Sequence, residues 1–401
     1  MIASYPRVSV VIACYDQAAQ LEITLTSFLR QKLPTQFYEL IVVDDHSPTY
    51  AVRDVVARYR LAYPEVSLIY VRQYRTDGGR YGSSARAKNI GLRLSRGEYV
   101  FFNNAEIVQA GESLSYILET MAAAQQQLCL RGRVLDIAYE QLKDRTQAEL
   151  EQLHDNTDRK HERVATADHA GLAVVSRSLL LALGGNDERF DYWGKEDLDL
   201  AARLKRAGAT YLYDEKLKSF HIAHPPNHVK QGDYLRMVAL LDENNSSGLI
   251  EANRGHLWGA LYPPPQEELE GTVIVQADSD LVDLGRRLEA LLYSPGAERR
   301  EVLVFCLDEH RATVEAALAS RFRPINLISL VAQDPFEHAS RVLRYVRTES
   351  FYFLPTGSTF DTAHWHDFSP DSSSPFELLA AHLLNENTEL RVSALSNDIR
   401  P

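Results

Sequence analysis

Two adjacent carboxylates stand where a loop passes into a helix. The string Gly184-Gly185-Asn186-Asp187-Glu188-Arg189-Phe190-Asp191-Tyr192-Trp193-Gly194-Lys195-Glu196-Asp197-Leu198-Asp199-Leu200, followed by Arg203-Leu204 and Gly208, delivers Glu196 and Asp197 to a helix start. The positive end of a helix dipole helps keep carboxylates ionised there. An ionised Asp is what an attacking hydroxyl needs for proton removal. Glu-Asp alone would be no more than an acid-rich helix N-terminus, but the whole string, with Trp193 and Gly194 in its loop, is far more specific.

The elements that must position these groups are legible upstream. Val8 to Cys14 (VSVVIAC), Glu39 to Val43 (ELIVV) and Val66 to Val71 (VSLIYV) are short β-branched apolar runs, the pattern of strands buried on both faces. Between them lie helical stretches, Gln17 to Arg30 with Leu21, Leu25, Phe28 and Leu29 in period, and Val52 to Tyr63. A helix from about Ser84 to Leu94 leads into a further strand, Glu98 to Phe102. This β-α-β-α-β order predicts right-handed crossovers and an open parallel sheet with helices on both faces.

In such sheets ligands bind at the carboxyl ends of the strands. Those ends carry Tyr15-Asp16, Asp44-Asp45-His46-Ser47, Arg72 to Arg80, and Asn103-Asn104-Ala105-Glu106. An Asp after a buried strand can accept a hydrogen bond from the imide of uracil, and a neighbouring aromatic can stack on the ring. Asp45 and Tyr15 suit those roles, although an Asp-Asp pair taken alone is more often turn or cap chemistry. The helix Ser84 to Leu94 adds Arg86, Lys88 and Asn89, which also suit a solvated helix with Gly91 at a close contact. No Gly-rich turn follows the first strand, which argues against a dinucleotide-binding dehydrogenase.

The remaining chain divides in two. Tyr262-Pro263-Pro264-Pro265-Gln266 reads as a linker, because consecutive prolines continue neither helix nor sheet. Beyond it the alternation restarts with TVIVQ (272–276), VLVFCL (302–307), 325–331 and FYFL (351–354), which suggests an ancient duplication. The expected organisation is a catalytic domain over 1–262, a linker over 263–270 and a second α/β domain over 271–401. The polar stretch 136–163 is expected as exposed helices or a lid, and with 228–258 as the acceptor side.

Bulk properties set the frame. A chain of 401 residues suits two domains. A net charge of −12 argues against a general binder of nucleic acid or anionic membranes. Three scattered cysteines offer neither a zinc site nor a disulfide framework. The N-terminus runs straight into a strand without a signal-peptide pattern, and no apolar stretch approaches the ~18 residues of a membrane span. A soluble cytoplasmic protein is the expectation, and homo-oligomer formation is left open.

Residues 8 to 224 resemble a GT-A glycosyltransferase of family 2. Tyr15-Asp16 stands for the family's aromatic-Asn pair, Asp44-Asp45-His46-Ser47 for its Asp-Asp-Gly-Ser loop, and Lys88-Asn89-Ile90-Gly91 for its Arg-Asn-x-Gly helix. The string from Gly184 resembles a motif of chondroitin-polymerase and β-1,4-galactosyltransferase domains. The implied fold is α/β of GT-A type, Rossmann-like and mostly parallel, followed by a degenerate GT-A-like α/β domain.

The resemblance implies an inverting transferase. A sugar would pass from a nucleoside diphosphate, UDP by preference, to a hydroxyl of a glycan, lipid-linked or protein acceptor. It makes Asp197 the base, Glu196 an acceptor-orienting group, and Trp193 and Gly194 part of the sugar platform. Tyr15, Asp16, Asp45, Lys88, Asn89 and Asn104 would hold the donor nucleotide. The usual Asp-x-Asp metal triplet is Asn104-Ala105-Glu106 here, which leaves Glu106 as a hard oxygen ligand for Mn²⁺ or Mg²⁺. His224, with His221 beside it, stands where the family places its metal histidine. The altered triplet and an apparently silent second domain favour the rival reading, a non-catalytic nucleotide-sugar-binding or scaffold protein.

Overall fold

The computed structural model describes residues 6–73, 84–162, 172–192, 194–223, 231–255, 258–259, 271–277, 280–292, 300–314, 326–330 and 351–354. The chain divides into two compact units, Met1–Tyr262 and Pro263–Pro401. In the first, the strands are β1 (Val8–Cys14), β2 (Tyr38–Asp44), β3 (Ser67–Arg72), β4 (Tyr99–Asn104), β5 (Ile107–Ala110), β6 (Leu128–Ile137), β7 (Ala173–Ser176) and β8 (Thr210–Ile222). The helices are α1 (Ala18–Leu29), α2 (Ala51–Ala62), α3 (Ser84–Leu94), α4 (Ser113–Ala123), α5 (Gln147–Asn156), α6 (Arg177–Ala182), α7 (Glu196–Arg206) and α8 (Gln231–Ser246).

The strands form one sheet in the order β3-β2-β1-β4-β7-β6-β8-β5. β1 runs parallel to β2 and β4, and β2 to β3, so the first four strands are the expected parallel set. β7 is antiparallel to both its neighbours, β6 and β8 run parallel, and β5 closes the edge antiparallel to β8. The result is the mixed, mostly parallel α/β sheet of the GT-A class.

Side chains alternate across a strand, so β1 serves two layers. Val10 and Ile12 join Leu21, Leu25 and Phe28 of α1 and Leu114 and Ile117 of α4 in one core. Val11 faces the other way against α3, where a Cβ on Gly91 would lie 2.2 Å from Val11 Cγ1. Only glycine lets α3 approach the sheet this closely. Gly132 has the same role within the sheet: an added Cβ there would meet the Leu217 carbonyl oxygen at 2.1 Å, beside the register shift between β6 and β8.

The polar stretch 136–163 holds the end of a strand and a mostly exposed helix, the first of its two expected forms. β6 continues to Ile137, and α5 opens with a capping box in which Thr146 and Glu149 satisfy each other's backbone N–H. Leu142, Leu150 and the β8 residues Phe220 and Ile222 form a separate apolar cluster. α5 is therefore docked on the sheet, because its few apolar residues fall on one face.

The second unit contains β9 (Gly271–Ala277), α9 (Leu281–Leu292), β10 (Arg300–Leu307), β11 (Asn326–Leu330) and β12 (Phe351–Leu354). Its sheet order is β11-β10-β9-β12, all parallel. Val273, Val275, Val302 and Val304 pack against Leu284, Leu288 and Leu291 of α9.

Candidate active site

The C-terminal ends of β1, β2 and β4 are brought level by register: Cys14 lies opposite Asp44, and Ala13 opposite Asn104. The loops that leave them are tied together. The Asp45 N–H donates to the Cys14 carbonyl at 2.8 Å, the Asp16 N–H to Ser47 Oγ at 2.9 Å, and the Ala105 N–H to the Ala13 carbonyl at 3.1 Å. Asp16 and His46 both adopt left-handed backbone, φ +53° and +61°. His46 stands where the resembled loop has glycine, the residue that enters this region without strain.

The two acids of this loop have separate roles. Asp44 is fully buried and accepts from the Ser47 N–H, the Tyr70 hydroxyl and Arg72 Nη1 at 2.9, 2.7 and 3.0 Å. Arg72 Nη2 also donates to the Ser47 carbonyl at 2.8 Å. Asp44 thus shapes the loop, and Asp45 beside it is the acid adjacent to the strand ends. Tyr15 is half-buried and Asp16 exposed at the same edge.

The triplet after β4 is self-associated. Asn104 Nδ2 donates to Glu106 Oε1 at 3.2 Å, and the Glu106 carbonyl accepts from the Ile222 N–H at 2.9 Å. That bond places Glu106 beside β8, where His221 lies opposite Ile107. His221 Nδ1 is 2.8 Å from Asp136 Oδ1, the kind of carboxylate contact that orients a histidine for ligation through its other nitrogen. Glu106 and His221 have suitable donor chemistry for a divalent cation, but among the described residues no group of three ligand-type side chains is assembled. His224 and Trp193 lie outside the described residues.

Helix α7 begins at Glu196 after Gly194 and Lys195, whose φ values are +101° and +77°. Its first turn carries Glu196, Asp197 and Asp199, and its last Arg203, Lys205 and Arg206, both ends matching the helix dipole. Most acids of the surrounding string are engaged structurally. Asp199 pairs with Arg203 at 2.7 Å, both fully buried. Asn244 of α8 donates to Asp187 and Asp199 at 2.9 and 2.8 Å, and Arg189 holds Asp187. Glu188 accepts from Asn89 and from the Gly259 N–H. Glu196 and Asp197 are the acids of the string that face Lys88 of α3.

Lys88 of α3 donates from Nζ to Asp197 Oδ1 at 2.8 Å, and the Asp197 side chain retains 15% exposure. Glu196 is buried, and burial followed by the charge of Asp197 pushes its carboxyl up to about 7. Burial acts against the Lys88 ammonium, but Asp197, Glu196 and Glu106 outweigh it, so the lysine pKa is raised. The strand-end triplet and the α7 pair therefore meet electrostatically at one buried cation.

Asn89 is placed differently from its expected donor-binding position. Its fully buried amide brackets the backbone of Asn186: Oδ1 accepts from the Asn186 N–H at 2.7 Å and Nδ2 donates to the Asn186 carbonyl at 2.8 Å. A Cβ on Gly185 would lie 2.4 Å from Asn89 Oδ1. Asn253 supports the same turn, donating to the carbonyls of Gly184 and Asn186 and accepting from the Glu188 N–H. Asn244 and Asn253 carry no signal in the sequence, being isolated polar residues far from the string they hold. Arg131, buried in β6 and facing Asp197 electrostatically, had a visible signal as a charge inside the apolar run of 128–135.

Residues 9–184 match the glycosyl transferase family 2 domain. The match ends at Gly184, so the Glu196-Asp197 pair lies beyond it. The chain is 30% identical over 101 residues to the poly(ribitol-phosphate) β-N-acetylglucosaminyltransferase TarP of Staphylococcus aureus, covering 25% of this chain and 28% of that protein. It is 26% identical over 257 residues to the hyaluronan synthase of Pasteurella multocida, covering 56% and 25%. The chain thus spans about a quarter of the length of these relatives. A solved mannosyltransferase of Pyrobaculum calidifontis, in complex with GDP-Man and Mn²⁺, is 21% identical with a TM-score of 0.42, covering 61% of this chain and 65% of that one. No described helix is long and apolar enough to cross a membrane.

Proposed function

We propose that the first unit is an inverting glycosyltransferase that moves a sugar from a nucleoside diphosphate to an acceptor hydroxyl, with Asp197 as the base. The observation that carries this reading is the Glu196-Asp197 pair at the start of α7, tied through Lys88 to the strand ends of a family 2 domain. A single base opposite a departing diphosphate leads to inversion by one displacement. Asp197 takes the acceptor proton as its oxygen attacks the anomeric carbon. Glu196, which holds its proton to about 7, can donate a hydrogen bond that orients the acceptor.

UDP is the proposed nucleotide, with Asp45 bonding the uracil imide and Tyr15 against the base, Asp16 and Asn104 completing the donor side, and Trp193 with Gly194 at the sugar. Glu106, His221 and His224 would hold a Mn²⁺ or Mg²⁺ ion, which when bound offsets the diphosphate charge. The relatives named above act on a poly(ribitol-phosphate) or make hyaluronan, so glycan-polymer acceptors are the first to try. The cytoplasm is the proposed compartment. The proposed domains are 1–262 catalytic, 263–270 linker and 271–401 a degenerate GT-A-like α/β domain of duplicated origin, and the division into units after Tyr262 supports the first boundary.

The test is UDP release from a panel of UDP-sugars, with and without Mn²⁺. Turnover with at least one donor is expected. Nucleotide binding without turnover of any donor, before and after metal reloading, would favour the non-catalytic binding or scaffold reading. Glu106→Ala is expected to weaken Mn²⁺-dependent UDP binding, as measured by calorimetry.

A further inference from the structure

We infer that Lys88 is a positioning residue for the base: it fixes Asp197 against the sheet and assigns the negative charge of the Glu196-Asp197 pair to Asp197. This rests on the reading of Asp197 as the base. It differs from the donor-binding role that the lysine's place in the α3 motif suggested.

Three observations carry it. First, the ammonium is already committed. The Lys88 side chain is 1% exposed and its Nζ lies 2.8 Å from Asp197 Oδ1, in a contact joining α3 to α7 across 109 residues of chain. A buried ammonium is stable only against a partner charge, so the pair restrains both helices.

Second, the next residue grips the other end of the same loop. Asn89 brackets Asn186 while Lys88 holds Asp197, so two consecutive residues of α3 clamp both ends of the segment that presents the carboxylates. α3 is itself fixed to the sheet at Gly91 against Val11. The base therefore takes its position from the sheet that carries the donor loops.

Third, the charges around the pair require a referee. Asp197 is faced by Lys88 from α3, by Glu196 from its own helix and by Arg131 from β6, while Lys88 is also near Glu106. Two adjacent carboxylates do not both ionise cheaply when one is buried. The direct bond from Lys88 goes to Asp197, and Glu196 is the member held up to about 7. The direct bond from Lys88 stabilises the charge on Asp197, and that charge, together with burial, holds Glu196 up against the lowering effect of Lys88 itself.

The experiment compares Lys88→Met and Lys88→Arg with wild type in three measurements: UDP affinity by calorimetry, the pH profile of kcat/KM, and stability in the wild-type and Asp197→Asn backgrounds. In Lys88→Met the acid limb of kcat/KM should move up by about one to two pH units, the usual effect of removing an opposite charge from a carboxylate. UDP affinity should hold. Lys88→Arg should return the limb toward its wild-type position. The stability lost in Lys88→Met should be much smaller when Asp197 is already Asn, a readout that needs no turnover. An unmoved acid limb, abolished UDP binding, or an equal stability loss in both backgrounds overturns the inference. Retained turnover in Asp197→Asn would instead remove the base reading on which it rests, so the two failures are distinguishable.

Discussion

The two units lay four parallel strands in the same order, third-second-first-fourth, and cross-link them at the same place. In the first, Ser9 Oγ donates to the buried Glu39 at 2.6 Å, these residues lying opposite each other in register. In the second, Thr272 Oγ1 donates to the buried Glu301 at 3.1 Å, again as opposite residues. Arg96 completes the first pair, with its backbone N–H and Nε on Glu39 at 2.7 and 2.8 Å. Counting back from the register of β12, Arg347 holds the corresponding place in the sequence, outside the described residues.

At the opposite ends of the strands the units part. By the same counting, Asp44 and Asp45 become Cys306 and Leu307, and Glu106 becomes Gly357. The hydroxyl–glutamate pair at the strand starts is thus common to both units, whereas the acids at these strand-end positions are present in the first unit and replaced in the second. A sheet of this kind folds without its strand-end acids, which is why strand order alone carries no function.

Substitutions on either side of that division differ in their expected size. The largest structural effect is expected at the support of α7, which has no counterpart among the described residues of the second unit's strand ends. Arg203→Met leaves Asp199 buried without its cation and should cost about 3–5 kcal/mol in denaturant unfolding of the first unit. A loss below about 1 kcal/mol would show that Asn244 alone supports Asp199.

His154 gives the next effect. It is buried on α5 with its ring 5.2 Å from Phe220, and burial, then the charge of Arg133, lowers its pKa to about 4. The neutral ring is the folded form. Its contribution is therefore complete above an unfolded pKa near 6.5 and is lost as pH falls from there toward 4. The loss is on the order of 3 kcal/mol, and His154→Leu should flatten this part of the stability–pH curve. An unchanged curve would place the acid sensitivity elsewhere.

The smallest effects test the equivalence itself. Ser9→Ala and Thr272→Ala should each cost about 1–3 kcal/mol by leaving a buried carboxylate short of a donor. Segment-resolved hydrogen exchange should show the loss in β1–β2 for one and β9–β10 for the other. Arg96→Ala should loosen β1–β2 in the same measurement. Unchanged exchange in β1–β2 would remove Arg96 from the support of that pair.

What could be read in advance follows the range of the interactions. The runs VSVVIAC and ELIVV identify β1 and β2 from composition alone, and Glu196-Asp197 stands out within its string. β8 was harder to see, because the first half of Thr210–Ile222 is largely exposed and carries no apolar run. In 136–163 the anchoring residues Ile137, Leu142, Leu150 and Leu153 are scattered among charges, so no apolar run marks the stretch as docked. Lys88 and Asn89 stand out on their helix, but their partners Asp197 and Asn186 are 109 and 97 residues away, and only the folded chain pairs them.

The central claim is that Asp197 removes the acceptor proton in a unit that binds UDP-sugars through its strand ends. Asp197→Asn, assayed for transfer and for UDP binding in parallel, tests it most directly. The account predicts a loss of about 10²–10⁴ in kcat with UDP affinity retained, the usual contribution of a general base. Transfer at wild-type rates in Asp197→Asn would contradict it.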